Sequence, residues 1–206
     1  MENGLLDCEQ YLEEAMAEHA TAQCPPLLAQ ALNYAVFPGG ARVRPKICKA
    51  VALANNSSDV GLANAAASAI ELLHCASLVH DDLPCFDDAT QRRGKPSVHA
   101  KFGERIAVLT GDALIVAAFQ TLATHAIHAV RTERVPLVTA IVARGVGAPH
   151  GICAGQAWEC ERSVDLSRYH RAKTGALFVA ATCAGAAAAG VDPGPWVNLG
   201  ASIGEA

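Results

Sequence analysis

The chain has 206 residues, of which 51% are hydrophobic and only 5% are aromatic. That length suits one domain with a sizeable core, and a composition rich in alanine and leucine but poor in aromatics favours helix over sheet. The formal net charge of −4 comes from interspersed acidic and basic residues, which argues against nucleic acid or a membrane surface as the main partner.

The cysteines and the chain ends exclude several other classes of protein. None of the eight cysteines forms a C-x-x-C pair, so the spacing fits neither a zinc site nor a disulfide framework. Residues 1–19 are acidic and amphipathic, unlike a secretory signal. The most apolar stretch, residues 176–191, is shorter than the ~20 residues that span a membrane. We therefore expect a cytoplasmic protein with free thiols, not an integral membrane protein.

Apolar residues recur at helical spacing in successive segments, which are separated by Gly, Pro, Asn and Asp. The pattern predicts helices over residues 8–18, 26–36, 44–55, 60–82, 104–129, 135–145, 151–160, 166–190 and 195–205. No segment alternates with the period of two that is typical of a strand, and no internal repeat is present. The sequence therefore predicts one all-α domain over residues 1–206. Residues 202–206 carry no helix stop signal, so we expect the chain to be cut within a longer helical domain.

Four aspartates cluster where the helix predicted over residues 60–82 ends. Pro84 disfavours helix at the residue before it, so Asp81 and Asp82 lie at a helix C-terminus, where the dipole disfavours each carboxylate by ~0.3–1 kcal/mol. Asp87 and Asp88 add two more negative charges. Such a cluster requires a compensating cation, and oxygen ligands without His or Cys suit Mg²⁺.

A basic segment follows the aspartates directly. Arg92, Arg93 and Lys95 place three positive charges beside the acidic cluster. A solvated acidic turn would explain the carboxylates alone, but it would not explain the adjoining basic segment. Acids that bind a metal beside bases that bind phosphate are what a Mg-diphosphate requires.

Residues 74–99, HCASLVHDDLPCFDDATQRRGKPSVH, resemble the first aspartate-rich motif of the trans-isoprenyl diphosphate synthases, the polyprenyl synthetase family. The landmarks FPGGARVRP (37–45), LTGDAL (109–114), GQ (155–156) and KTG (173–175) resemble other motifs of that family and occur in its order. Within the family, the chain is most similar to bacterial geranylgeranyl diphosphate synthases of the carotenoid and bacteriochlorophyll branch.

The resemblance implies a helical bundle of the isoprenoid synthase type, without its C-terminal helices, that forms a homodimer. It also implies a Mg²⁺-dependent prenyltransferase that condenses isopentenyl diphosphate with an allylic diphosphate. Its catalytic residues would be Asp81, Asp82, Asp87 and Lys173. The metal ligands would be Asp81 and Asp87, supported by Asp82 and Asp88.

The resemblance also assigns the substrate-binding residues. Arg92, Lys173 and Thr174 would bind the allylic diphosphate, and Arg44, His74 and Arg93 would bind isopentenyl diphosphate. Ala76 and Ser77 would form the floor that limits the product, and their small size favours a C20 product, geranylgeranyl diphosphate. Gly151 and Gly155, four residues apart, are expected to serve close helix packing.

Two departures from the family pattern leave alternatives open. Ala41 stands where the family has a lysine, and the 206 residues contain no second aspartate-rich motif. We therefore expect this chain by itself to turn over slowly or not at all. The alternatives are a non-catalytic or regulatory subunit of a heteromeric synthase, and a cyclase-like enzyme with one aspartate motif.

Overall fold

The computed structural model of the protein describes residues 8–17, 19, 21, 23–37, 40–128 and 132–205. Its helices are α1 (Cys8–Ala17), α2 (Pro26–Val36), α3 (Val43–Ala54), α4 (Val60–Asp81), α5 (Val98–Phe102), α6 (Glu104–His128), α7 (Val135–Val146), α8 (Ile152–Trp158), α9 (Leu166–His170), α10 (Ala176–Ala189) and α11 (Trp196–Glu205). Two short strands, β1 (Gln91–Arg92) and β2 (Lys95–Pro96), lie between α4 and α5. The predicted all-α fold class is confirmed.

Each predicted helix is present, with ends that differ by one or two residues. The predicted helix over residues 166–190 is one continuous helical run in which a π-helical turn, Arg171–Gly175, joins α9 to α10. Helix α5 and the strand pair were not predicted, because segments of two to five residues are too short to show a hydrophobic period. The predictions that involve Glu18, Pro38, Gly39, Ala129 and Ala206 lie outside the described residues.

Helix α4 forms the centre of the bundle and packs against α3, α6 and α10. Asp59 caps its N-terminus, since the Asp59 side chain accepts a hydrogen bond of 2.9 Å from the backbone N–H of Leu62. Alanines cover much of its surface and allow neighbouring helices to approach closely. It ends at Asp81, three residues before Pro84. The acidic cluster therefore begins where the central helix leaves the core.

The basic segment folds back as a tight hairpin. Strands β1 and β2 are antiparallel, with Gln91 opposite Pro96 and Arg92 opposite Lys95. The two turn residues, Arg93 and Gly94, both have positive φ (53° and 75°), the combination that a type I′ turn requires. The hairpin turns the direction of the chain between Arg92 and Lys95, so that the basic side chains stay near the end of α4.

Glycines bring α8 close to its neighbours, which confirms the predicted role of Gly151 and Gly155. A Cβ atom at Gly155 would lie 2.4 Å from the backbone nitrogen of Lys173, and one at Gly151 would lie 2.5 Å from that of Val146. Since real Cβ atoms do not approach backbone so closely, a larger residue at Gly155 would separate α8 from the π-helical turn, and one at Gly151 would clash with the end of α7.

Three helical stretches are long and apolar enough to cross a membrane by length and composition alone: Val60–Asp81, Glu104–Ile127 and Leu166–Ala189. The last contains the apolar residues 176–191, which by themselves are too short to span a membrane, and reaches spanning length because α9 and the π-helical turn continue the helix at its N-terminal end. Burial inside the bundle covers 83%, 39% and 67% of their apolar windows, in that order. The expectation that the protein is not an integral membrane protein stays a prediction.

Candidate active site

Three carboxylates meet at the C-terminal end of α4. Oxygen atoms of Asp81, Asp87 and Glu159 all lie within 4.8 Å of one another. Asp81 ends α4, and Glu159 follows the last residue of α8. The backbone N–H of Asp87 donates to the carbonyl of Asp81 at 3.0 Å, which holds the loop between them against the helix end. Partial desolvation and the nearby Asp81 carboxylate raise the pKa of Asp87.

Lys173 supplies a positive charge to this cluster. Its Nζ atom lies 2.6 Å from Glu159 Oε1 and 3.1 Å from Asp81 Oδ1. Partial burial lowers the pKa of Lys173, but the contacts with Glu159 and Asp81 outweigh this effect and raise it, so Lys173 stays charged. Tyr169 donates to Glu159 Oε1 at 2.6 Å, and Gln156 donates to Glu159 Oε2 at 2.8 Å. Glu159 is therefore held by three side chains.

Glu159 is a site residue that the sequence analysis missed. Its only sequence signal is its position three residues after Gln156, which places both side chains on one face of α8. Glu159 lies far along the chain from the aspartates, so only the packing of α8 against the π-helical turn reveals that it joins them.

Asp82 and Asp88 do not join this cluster. Asp82 is 2% exposed, and its carboxylate accepts hydrogen bonds of 2.8 Å from Arg92 Nε and 2.6 Å from Arg92 Nη2. These bonds outweigh desolvation and raise the pKa of Arg92. Asp88 is exposed and has a positive φ of 47°, and its backbone N–H donates to the carbonyl of Leu83 at 3.1 Å. The structure thus pairs Asp82 with the hairpin and brings Asp81 and Asp87 together.

The residues predicted to bind isopentenyl diphosphate lie together beside α4. Arg44 Nη1 is 3.4 Å from His74 Nε2, and the Arg44 guanidinium lies 4.4 Å above the ring of Phe178. A Cβ atom at Gly40 would lie 2.7 Å from Arg93 Cζ, so the chain at Gly40 runs directly along the Arg93 guanidinium. The absence of a side chain at position 40 makes room for this arginine.

His74 is uncharged at neutral pH. Burial, followed by the nearby charges of Arg44 and Arg93, lowers the pKa of His74 to about 3. A neutral imidazole that accepts from Arg44 through Nε2 carries its proton on Nδ1. The ring is therefore able to hold Arg44 and to donate one further hydrogen bond.

Arg42 does not replace the missing cation at Ala41. It is 4% exposed and forms ion pairs with Glu71 at 2.9 Å and with Glu9 at 2.8 Å. It also donates to the carbonyl of Val36 at 2.8 Å. Arg42 therefore ties α1, α3 and α4 together, and the basic side chains gathered beside His74 are Arg44 and Arg93.

Three uncharged residues were also predicted to belong to the site: Thr174, Ala76 and Ser77. Thr174 is exposed on the π-helical turn directly after Lys173. Ala76 is 1% exposed and belongs to the main apolar core, whereas Ser77 is half-buried and donates to the carbonyl of His74 at 2.8 Å. Both small residues lie about one turn before Asp81 on α4.

The donor set of the cluster fits a hard divalent cation. Lys173 pairs with Asp81 and Glu159, and Arg92 Nη2, which pairs with Asp82, also lies 3.5 Å from Asp81 Oδ2. With Asp82 and Asp87 included, four carboxylates face two cations, so the site keeps excess negative charge. Asp81 Oδ1 is buried and accepts no hydrogen bond of good geometry, although Lys173 lies at ion-pair distance. A buried carboxylate oxygen without a hydrogen bond is unfavourable unless a cation coordinates it. Few carboxylates and partial exposure to water match the preferences of Mg²⁺.

Comparison with known proteins agrees with these features. The family model described as "Polyprenyl synthetase" matches residues 25–206. The chain is 56% identical to the geranylgeranyl diphosphate synthase of Cereibacter sphaeroides over 96% of the chain and 69% of that protein. It is 53% identical to that of Rhodobacter capsulatus over 96% of the chain and 68% of that protein. The crystal structure of an FPP/GFPP synthase from Zymomonas mobilis superposes with a TM-score of 0.84, at 31% identity, over 98% of this chain and 75% of that one. The chain belongs to the polyprenyl synthetase family.

Proposed function

We propose that the protein is a Mg²⁺-dependent prenyltransferase that condenses isopentenyl diphosphate with an allylic diphosphate to give geranylgeranyl diphosphate. The observation that carries the proposal is the presence of two groups: the carboxylate cluster of Asp81, Asp87 and Glu159, and the cations Arg44 and Arg93 with the neutral His74. One cluster suits a metal and the other suits a second diphosphate. The names of the two bacterial relatives support the product.

Asp81, Asp87 and Glu159 would hold Mg²⁺ in this site. When bound, Mg²⁺ acts as a Lewis acid that stabilises negative charge on the diphosphate leaving group. Lys173 would exchange its carboxylate partners for oxygen atoms of the allylic diphosphate. Asp82 accepts hydrogen bonds from Nε and Nη2 of Arg92 and so fixes the orientation of the guanidinium. Nη1, which Asp82 does not use, would contact the same diphosphate.

The second group would bind the other substrate: Arg44, Arg93 and the Nδ1–H of His74 would hold the diphosphate of isopentenyl diphosphate. In the reaction, the allylic C–O bond breaks and its electron pair leaves with diphosphate. The double bond of isopentenyl diphosphate then forms the new C–C bond, and the released diphosphate takes up the proton that is lost. The chain contributes binding, orientation and charge, and no nucleophilic side chain is required.

Ala76 and Ser77 would limit the length of the product. Ala76 and Ser77 lie about one turn before Asp81, where a large side chain would shorten the space for a growing prenyl chain. Their small size supports a C20 product. The relatives' names agree with this length.

We also propose that the protein forms a homodimer in the cytoplasm through α6. Among the described residues of α6, four large apolar side chains are exposed: Val108 by 42%, Leu109 by 51%, Val116 by 62% and Ile127 by 77%. Leu109, Val116 and Ile127 follow one another at spacings of about two and three turns, so they form one stripe along the helix. An apolar stripe of this length is typical of a protein–protein interface. No observation favours a regulatory subunit, which would not need both charged clusters.

The test is product analysis with the protein expressed from its complete reading frame, supplied with isopentenyl and farnesyl diphosphates and Mg²⁺. We expect a C20 diphosphate, loss of condensation after treatment with a chelator, and a fall of at least 100-fold in Asp81→Ala. The proposal is wrong if the wild-type protein forms no C–C bond with any allylic diphosphate, or if Asp81→Ala retains activity. A product of another length would correct the C20 assignment alone.

A further inference from the structure

The hairpin that carries Arg92 and Arg93 is too short to hold its own position. Each of its strands has two residues, and an isolated two-stranded ribbon is at best marginally stable in water. Contacts with the rest of the fold must therefore fix its orientation. On the β1 side, the buried carboxylate of Asp82 accepts from Arg92 and holds that strand against the end of α4.

The other strand is held by a tyrosine of α2. Tyr34 Oη donates to the carbonyl oxygen of Pro96 at 2.8 Å, between residues that are 62 positions apart in the chain. Gln91 and Pro96 lie one step beyond the pair that flanks the turn, so they form a non-hydrogen-bonded pair whose backbone polar groups point outwards. The next pair is hydrogen-bonded again, since the backbone N–H of Ser97 donates to Thr90 at 3.0 Å. The register of the hairpin thus leaves the Pro96 carbonyl available to Tyr34.

The ring of Tyr34 is itself fixed by its neighbours. It packs in a T-shaped arrangement on the ring of Phe102, with 5.4 Å between the centroids, and the Lys101 ammonium lies 3.7 Å from its centroid. Tyr34 and Phe102 also pack against a small apolar cluster that includes Leu83, before the acidic loop, and Val98, after the hairpin. Because the ring is already ordered, its hydroxyl loses little further entropy when it binds the hairpin.

The segment that follows α2 contacts the tip of the same hairpin. A Cβ atom at Gly40 would lie 2.7 Å from Arg93 Cζ, so the backbone at Gly40 lies against the Arg93 guanidinium. Gly40 comes six residues after Tyr34. The chain from α2 onwards therefore meets the hairpin twice, through the Tyr34 hydroxyl at Pro96 and through its backbone at Arg93. A movement of β2 away from α2 would also draw Arg93 away from Gly40.

We propose that Tyr34 is a positioning residue for the isopentenyl diphosphate site, whose hydroxyl holds β2 so that Arg93 stays beside Arg44 and His74. The inference rests on the proposed function, which assigns Arg93 to the diphosphate of isopentenyl diphosphate. It gives the two neighbouring arginines separate supports, since Asp82 orients Arg92 and Tyr34 orients the tip that carries Arg93. Loss of the hydroxyl should therefore affect isopentenyl diphosphate and not the allylic substrate.

Titration calorimetry with isopentenyl diphosphate alone tests this role without requiring turnover, on the protein expressed from its complete reading frame. Tyr34→Phe keeps the ring on Phe102 and removes the hydroxyl. We expect its Kd for isopentenyl diphosphate to rise about fivefold, the effect of losing one net hydrogen bond. In product assays, KM for isopentenyl diphosphate should rise by about the same factor, while kcat and KM for farnesyl diphosphate stay within about twofold. Tyr11→Phe, which removes a hydroxyl from α1, is the matched control and should leave each value within about twofold.

Arg93→Gln shows whether the hydroxyl acts through Arg93. In that background, Tyr34→Phe should change the Kd by less than about twofold, because the guanidinium that it positions is absent. The role is overturned if Tyr34→Phe binds isopentenyl diphosphate as the wild type does, if it weakens binding equally with and without Arg93, or if KM rises equally for both substrates. A wild-type protein that binds no isopentenyl diphosphate would overturn the proposed function, and this role with it.

Discussion

The ammonium group of Lys173 lies 3.1 Å from Asp81 Oδ1, where it neutralises a carboxylate that ends the central helix. The same group lies 2.6 Å from Glu159, so two of the three clustered carboxylates share one internal cation. A cation in this position competes with a metal for the same oxygen atoms. Binding of metal and substrate therefore requires Lys173 to change partners.

We expect Lys173→Gln to bind Mg²⁺ several-fold more tightly than the wild type when no substrate is present, because a repelling charge near the site is removed. Condensation should fall at least 100-fold in the same variant, because the diphosphate loses a ligand. Titration calorimetry with Mg²⁺ and product assays measure the two effects. Arg105→Gln, at an exposed position of α6, serves as the control for the loss of one positive charge. Weaker Mg²⁺ binding in Lys173→Gln would show that the lysine organises the carboxylates instead of competing for them.

Glu159→Gln should weaken Mg²⁺ binding about tenfold, because one of three carboxylates becomes neutral while Tyr169 still donates to the remaining side-chain oxygen. Glu161, two residues further on, is exposed, and its change to Gln gives a matched control with the same loss of charge. Calorimetry with Mg²⁺ should find Glu161→Gln within twofold of the wild type. Equal effects of the two substitutions would mean that Glu159 acts only through long-range charge.

Asp82→Asn should lower the free energy of unfolding by about 2–3 kcal/mol, because it removes the buried partner of Arg92. Asp88→Asn is the matched control. Asp88 is exposed with positive φ, which asparagine tolerates well, so the change should stay within about 0.5 kcal/mol. Urea denaturation followed by circular dichroism measures both values. A stability loss of the same size in the two variants would contradict the role assigned to the Asp82–Arg92 pair.

His74 should make the fold sensitive to acid. Burial and the neighbouring arginines lower its pKa from 6.5 to about 3, so between these pH values the unfolded chain binds a proton that the folded chain does not. The free energy of unfolding therefore falls as the pH decreases through this window, by roughly 2–3 kcal/mol at pH 4.5. Urea denaturation of His74→Gln should show a smaller loss between pH 7 and 4.5. Identical pH profiles would indicate that His74 titrates near its ordinary value.

Val116→Glu should shift the protein from dimer to monomer, because it places a charge in the middle of the exposed apolar stripe of α6. Leu166 is 64% exposed, close to the 62% of Val116, and lies at the start of α9. Leu166→Glu therefore adds the same charge on another surface and should leave the dimer intact. Sedimentation velocity measures both. A monomeric wild-type protein, or dissociation by Leu166→Glu, would exclude α6 as the interface.

Much of this site could be predicted because its residues are close together in the chain. Asp81 and Asp87 share one short loop, and the basic residues follow within the next hairpin, so spacing alone indicated a site for metal and phosphate. The helices were predictable for the same reason, since hydrophobic periodicity is a local property. The resemblance placed Lys173 and Thr174 of the KTG segment at the same diphosphate as the aspartates, but it did not indicate which side chains contact one another.

Only the tertiary structure decided which charged side chains face each other. The sequence by itself determined the helices, the family and the acidic loop. It did not indicate that the neighbours Asp81 and Asp82 have different partners. Asp82 forms a buried ion pair with Arg92, whereas Asp81 belongs to the carboxylate cluster. Nor did it indicate that Glu159 joins Asp81 and Lys173, because that contact depends on Gly155, which lets α8 approach the π-helical turn. Such contacts follow from the packing of distant helices, which no local pattern encodes.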